Sequence, residues 1–175
     1  MKVKILLIFL LLIASFPNPR PVDAADKPQP QSIGEKASCG VCGMYPARYP
    51  KWQTQIIFND GMMVPFDGAK DMFKYLLNMG EFDKQHQRSE VAAIWVKDYA
   101  DGGWLDGEAA FYVVGSSVMG PMGQELVPFA TAEAAMKFQG KNGGTVNRFA
   151  EINLEVIDKL GMGGMKMGGH HQGKM

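Results

Sequence analysis

The chain has 175 residues, 46% of them hydrophobic and 21% charged, the balance of a compact fold rather than a disordered chain. Its 18 basic residues are matched by 18 acidic ones, so no net positive field is present to hold nucleic acid. Two cysteines allow at most one bridge, which excludes a disulfide-stapled miniprotein, whereas 21 glycines and 13 methionines are an unusual supply of both.

Lys2 and Lys4 precede an uncharged apolar run from Ile5 to Phe16. Twelve helical residues reach roughly 18 Å, short of the ~30 Å hydrocarbon core, so residues 1–24 read as a signal peptide cleaved after Ala24. The competing reading is an uncleaved anchor. No cysteine closely follows the apolar run, so no lipid-attachment site is expected. Losing Lys2, Lys4, Arg20 and Asp23 leaves 15 basic and 17 acidic residues in a periplasmic or otherwise exported protein. Residues 25–37 carry Pro28 and Pro30 and predict a flexible lead-in.

The core that follows repeats itself. Val64-Pro65-Phe66-Asp67-Gly68-Ala69 is answered 63 residues later by Val127-Pro128-Phe129-Ala130-Thr131-Ala132. In the first half, residues 38–100, Trp52 to Phe58 alternates as a half-buried strand, and Asn59-Asp60-Gly61 turns into a partner strand from Met62 to Phe66. Asp67 is placed to N-cap a helix from Ala69 to Met79, with Met72, Tyr75, Leu76 and Met79 as its apolar face and Gly80 as its stop. Val91 to Lys97 is the third strand. The second half, residues 101–160, repeats the order: strand Ala109 to Val114, a longer loop, strand Leu126 to Phe129, a Thr131-capped helix Ala132 to Gln139, and strand Thr145 to Phe149. A short closing helix is expected over Glu151 to Leu160. The fold class is therefore α+β, two tandem ββαβ half-domains packed together. Residues 161–175 are too rich in glycine to fold alone, which predicts a disordered tail.

The densest chemistry is Cys39-Gly40-Val41-Cys42-Gly43-Met44. Covalent haem attachment needs a histidine where Gly43 stands. Structural zinc wants four ligands, and the core offers two thiols and His86. A thioredoxin-like pair belongs at a strand-to-helix junction, whereas this motif precedes the first strand. A structural disulfide is the plain alternative in an oxidising compartment. The remaining reading is a soft-metal site, because thiolate and thioether donors select Cu(I). Cys39, Cys42 and Met44 bring three sulfurs within six residues, and Gly40 and Gly43 let the backbone bend them together. Met119 and Met122 add sulfur in a Gly/Pro-rich loop, whereas Met72, Met79 and Met136 read as core filler on helices. Met162, Met165, Met167, Met175, His170 and His171 form a second, tail-borne set of copper-competent donors.

With these residues in view the chain resembles the nitrous-oxide-reductase accessory protein (NosL) family, over Cys39 to Ile152. The resemblance is carried by Cys42-Gly43-Met44, Phe111-Tyr112-Val113-Val114-Gly115-Ser116, Gly120-Pro121-Met122-Gly123 with Glu125, Val127-Pro128-Phe129, and Gly143-Gly144 with Arg148-Phe149. It implies the tandem fold and an extracytoplasmic Cu(I) metallochaperone rather than an enzyme. It also implies delivery to nitrous oxide reductase with a membrane ABC-type complex, Cys42 and Met122 being the carried-over ligands. The family's fold is similar to that of organomercurial lyases, so a thiol enzyme, by disulfide exchange or mercury–carbon cleavage, is the alternative. A general copper buffer is another, since the Met/His tail adds to the family pattern.

Overall fold

The computed structural model describes residues 27–163. The expected signal segment and the expected tail donors Met165, Met167, His170, His171 and Met175 lie outside the described residues, and of Met162 only the helical backbone is described.

Strand β1 (Thr54–Phe58) runs antiparallel to both β2 (Met63–Phe66) and β3 (Val91–Lys97), and β4 (Trp104–Asp106) adds to the far side of β3. The β1–β2 turn forms where Asp60-Gly61 allows it: the Gly61 N–H donates to the Phe58 carbonyl, with Gly61 at φ +87°. Where alternation predicts a half-buried strand, β1 is buried along its whole length. The reason lies in residues 27–37, which are anchored rather than loose. The Gln31 N–H donates to Gln55 Oε1 at 2.8 Å, Gln55 Nε2 donates back to the Gln31 carbonyl, and Trp95 Nε1 donates to the Pro28 carbonyl. Gln55 is thus fully buried with its amide satisfied, and the lead-in covers the outer face of the sheet.

Helix α1 (Ala69–Leu77) buries Met72, Tyr75 and Leu76 as its periodicity predicts. It breaks at Asn78, two residues before the expected Gly80 stop, and a single turn α2 (Met79–Phe82) follows, with Gly80 inside it. The second half forms its own sheet in the order β6-β5-β7, from β5 (Phe111–Gly120), β6 (Gly123–Phe129) and β7 (Thr145–Arg148). Here β5 and β6 run further than expected, and the Met119–Gly123 segment is the end of a hairpin, turning at Pro121-Met122 between paired Gly120 and Gly123. Helix α3 (Ala132–Asn142) starts at Thr131, whose Oγ1 accepts from the Ala134 N–H, and stops at Gly143. Its Met136 is exposed, not core filler, because the buried face of α3 is the one carrying Ala135. Helix α4 (Leu154–Gly163) starts three residues later than expected.

The halves share one topology. The last residue of β2 faces the first of β1 (Phe66 and Thr54), and the last of β6 faces the first of β5 (Phe129 and Phe111), so Phe66 and Phe129 occupy equivalent buried positions. The expected division at residue 101 separates β4 from the sheet it belongs to, since Trp104 to Asp106 pairs with β3. Helix α1 contacts β1 and β2 on one side and β6 on the other, which places it between the sheets. The main core therefore runs through both halves, from Phe66, Met72 and Phe73 to Tyr112 and Leu126. A second, smaller core of Val113, Val127, Phe129 and Ala135 lies under α3.

Candidate metal site

The Cys39–Met44 segment is a closed loop seated on the free edge of β2. The Cys39 N–H donates to the Met44 carbonyl at 2.7 Å, and the Gly43 N–H donates to the Cys39 carbonyl at 3.1 Å. Gly43 takes φ +74°, a conformation that disfavours other residues. The Gly40 N–H donates to the Pro65 carbonyl, bringing the loop against Val64 so closely that a Cβ on Gly40 would fall 2.6 Å from Val64 Cγ1. Both glycines are needed for the bend that brings the two thiols to one side.

What the thiols face is the start of α1. Cys42 Sγ lies 3.3 Å from Asp67 Oδ1, and Cys39 Sγ lies 3.4 Å from Asp71 Oδ2. One ligand atom from each of Cys39, Cys42, Asp67 and Asp71 falls within 4.8 Å of the others. Asp67 does not N-cap α1, as its place in the sequence predicts; the N-cap is Gly68, and Asp67 turns inward to the thiols. Its second oxygen, Oδ2, is buried without a hydrogen-bond partner among the described residues. A buried carboxylate oxygen left in this state is costly unless a proton or a cation reaches it.

Both cysteines carry free thiols, Cys39 buried and Cys42 half-buried. Burial pushes the Cys39 thiol up to about 11, against the opposing pull of backbone N–H groups in its own loop. Burial also pushes the Cys42 thiol up strongly, and the Asp71 carboxylate adds to the rise. At neutral pH the thiols therefore keep their protons and donate hydrogen bonds to the carboxylates.

Of the other expected donors, Met44 contributes its carbonyl to the loop. Met119 and Met122 are exposed at the hairpin end, 54% and 46% respectively. The hairpin is clamped to α1, because Lys70 Nζ donates to the carbonyls of Met122 and Gln124, both at 2.8 Å. Glu125, fully buried, accepts from the backbone N–H groups of Lys70 and Leu126 through Oε1. Burial raises its carboxyl to about 8, the two N–H groups and the Lys70 ammonium opposing. Met122 lines a cleft of roughly 640 Å³ with Lys70, Asp71 and Lys74 from α1 and Ile157, Asp158 and Gly161 from α4. Asp71 borders both this cleft and the thiol pair. His86 belongs to neither; it stacks on Phe58 and is held between Asp60 and Asp83.

In the sequence Asp67 reads only as a helix cap, and Asp71 carries no signal as a site residue. Where the first copy has Asp67 and Asp71, the second has Ala130 and Ala134, two of several positions at which the copies differ, Gly68 and Thr131 among the others.

The family model described as NosL matches residues 30–157. A copper-binding lipoprotein NosL from Stutzerimonas stutzeri is 30% identical over 146 residues, covering 82% of this chain and 75% of its own length. Another protein of that name, from Achromobacter cycloclastes, is 29% identical over 148 residues, covering 77% and 73%. The crystal structure of the copper chaperone NosL from Shewanella denitrificans matches with a TM-score of 0.64 at 26% identity, over 73% of this chain and 97% of that one.

Proposed function

The chain belongs to the NosL family, and from that premise we propose that it is an exported Cu(I) carrier rather than an enzyme, holding the ion at Cys39 and Cys42 and releasing it by ligand exchange. The observation that carries the reading is the convergence of two free thiols on one side of a short loop, with Asp67 and Asp71 against them.

The donor set explains the division of labour. Cu(I) is soft and prefers sulfur, so the thiolates are its ligands and the harder carboxylates are not. Thiolate binding requires each thiol to shed its proton. Asp67 and Asp71 are the acceptors at hand, each within hydrogen-bonding distance of one thiol. Cys42, half-buried, meets the incoming ion first; Cys39 is the buried second ligand. Met44, Met122 and Met119 are thioethers available as weaker third donors during exchange. A site with few strong ligands suits a carrier, since an acceptor's donor can enter as one leaves; closed four-ligand sites serve structure. The names of the relatives support copper as the cargo. The resemblance in Gly120-Pro121-Met122-Gly123 and Cys42-Gly43-Met44 supports nitrous oxide reductase as the client and a membrane ABC-type complex as the intermediary. Lys2, Lys4 and the run that follows support export to the periplasm.

Competition against a chromophoric Cu(I) chelator at fixed pH, without oxygen, tests this. Cys42→Ser should lose affinity beyond the ~10–100-fold that removal of an outer-shell partner costs, and Asp67→Asn should fall within that range. Cys39→Ser should lose less than Cys42→Ser, and Met122→Leu less again. Parent-like competition by Cys42→Ser would remove the thiol pair from the reading.

The 3.3 Å approach of Asp67 to Cys42 also favours a second reading, mercury–carbon cleavage, in which thiolates capture mercury and the acid protonates the leaving carbon. Phenylmercury given to the reduced protein releases benzene under that reading and stays intact under the first.

A further inference from the structure

The hairpin that carries Met122 is not held in place by its own ladder. Pairing of β5 with β6 runs to Val114 and Leu126, stops, and resumes only at Met119 with Gln124 and Gly120 with Gly123. Residues 115–118 of β5 thus stand against the single residue Glu125 of β6, a bulge that lets the strands bend and leaves the tip joined by two pairs. Burial does not fix the tip either, since Met119 and Met122 are both exposed. What fixes it is Lys70, in the first turn of α1. Its Nζ donates to the carbonyls of Met122 and Gln124, one on each side of Gly123. Its backbone N–H donates to Glu125, whose Cγ stands 3.0 Å from where a Cβ on Gly120 would be. The next residue of the helix is Asp71, whose Oδ2 meets Cys39 Sγ at 3.4 Å. Met122, Lys70 and Asp71 line one cleft, so a single turn of α1 joins the hairpin tip to the thiol pair.

We propose that Lys70 is a positioning residue for copper exchange, holding the hairpin tip so that the Met122 thioether stands ready as the third donor beside the thiol pair. This rests on the copper-carrier reading above. A weak donor helps an exchange only if it is already close when a stronger one leaves. On a loose tip it must be ordered at each encounter, whereas fixing the backbone on both sides of Gly123 meets that entropy cost beforehand. Lys70 holds no metal itself and acts through Met122. Its charge works in the other direction. An ammonium beside a cation site repels the incoming ion, so by charge alone the removal of Lys70 tightens binding. Positioning gives the opposite sign, and one variant therefore separates the two effects.

The test uses the mature full chain, reduced and without oxygen, with its methionine methyl groups ¹³C-labelled and Cu(I) as the probe. The thiolate-to-copper charge-transfer band reads the thiol pair, and the methyl signal lost in Met122→Leu reads the third donor. In the parent, Cu(I) should raise the band and shift the Met122 methyl at the same stoichiometry. Lys70→Met should keep the band, lose the Met122 shift and weaken Cu(I) in chelator competition about tenfold, the lower end of what removal of an outer-shell partner costs. Lys70→Arg, whose guanidinium still donates to carbonyls, should recover most of that affinity. In a Met122→Leu background, Lys70→Met should weaken binding no further, whereas a general loss of stability would weaken both backgrounds alike. Tighter binding by Lys70→Met, equal weakening with and without Met122, or a parent Met122 methyl that ignores the ion while the band appears overturns the positioning role and leaves the thiol pair standing. Absence of the band in the parent overturns the copper reading, and the need for a third donor with it.

Discussion

Gly40 has no room for a side chain. Val64 Cγ1 stands 2.6 Å from where a Cβ would be and Phe66 Cε1 3.2 Å, both on the strand that the loop lies against. Gly40→Ala must push the loop off β2 or shift Val64, a strain of about 1–3 kcal/mol by analogy with overpacked cores. Because Cys39 and Cys42 flank this contact, the same change should loosen the thiols from Asp67 and Asp71. Urea unfolding should show the stability loss, and faster alkylation of Cys42 should show the loosening; a variant as stable as the parent with parent-like alkylation would separate the loop from the edge strand. The sequence makes the two cysteines and their glycines legible, since Cys-x-x-Cys with flanking Gly is a local pattern. It leaves the carboxylates dark. Nothing local tells Asp67 to turn inward, because its place before a helix predicts a cap, and the turn follows from a loop that arrives from 25 residues upstream.

At the level of elements, α1 and α3 begin at matching points of the repeat yet are capped by opposite means. Thr131 caps α3 through its own hydroxyl. Its counterpart in the first copy is Gly68, which has no side chain to cap with, and whose missing Cβ leaves room for the carboxylate of Glu125. Glu125 reaches over from the second sheet and accepts from the Lys70 N–H, so the first half's helix is capped by the second half's strand. Thr131→Ala should cost about 1 kcal/mol, the usual loss for a hydroxyl cap, visible as a lower urea midpoint at unchanged slope. A change at Glu125 should cost more and in both halves, since it ties β6 to α1. This explains which elements the pattern reveals. The Val-Pro-Phe repeat shows both hairpins and both helices because alternation and turn chemistry are local. It misassigns β4, three residues whose partner β3 is set by tertiary pairing, and it shortens β5 and β6 because glycines at 115, 120 and 123 read as loop. There the strands tolerate glycine, with Gly115 at φ +72° beside the register shift that carries β5 on to the Met119–Met122 end.

Across the whole molecule, most of the strongly shifted groups have the same sign. Burial raises Glu125 from 4.5 to about 8, so between those values the folded state holds a proton the unfolded chain has lost, and stability falls as pH rises. His86 is raised above 6.5, chiefly by its hydrogen bond to Asp60 and then by Asp83, so its contribution is complete below 6.5 and is lost as pH climbs through its folded value. Cys39, raised from 9.0 to about 11 by burial, continues the trend at higher pH. Asp83 runs the other way: hydrogen bonds from Tyr75, from the Gln85 and His86 N–H groups and from the His86 ring outweigh burial and hold it below 3.8, so its stabilisation is present above that value and lost as pH falls. The metal-free, reduced protein should therefore be most stable near pH 4, between the Asp83 loss below 3.8 and the Glu125 loss above 4.5. The decline above it is at most about 1.4 kcal/mol per pH unit for one proton. Urea midpoints measured at pH 5.5, 7 and 8.5 should fall in that order, and Glu125→Gln, which carries no charge at any of them, should flatten most of the descent below pH 8. Midpoints that rise over this range, or a Glu125→Gln series as steep as the parent's, would mean that the carboxyl between the two halves is not held protonated by its burial.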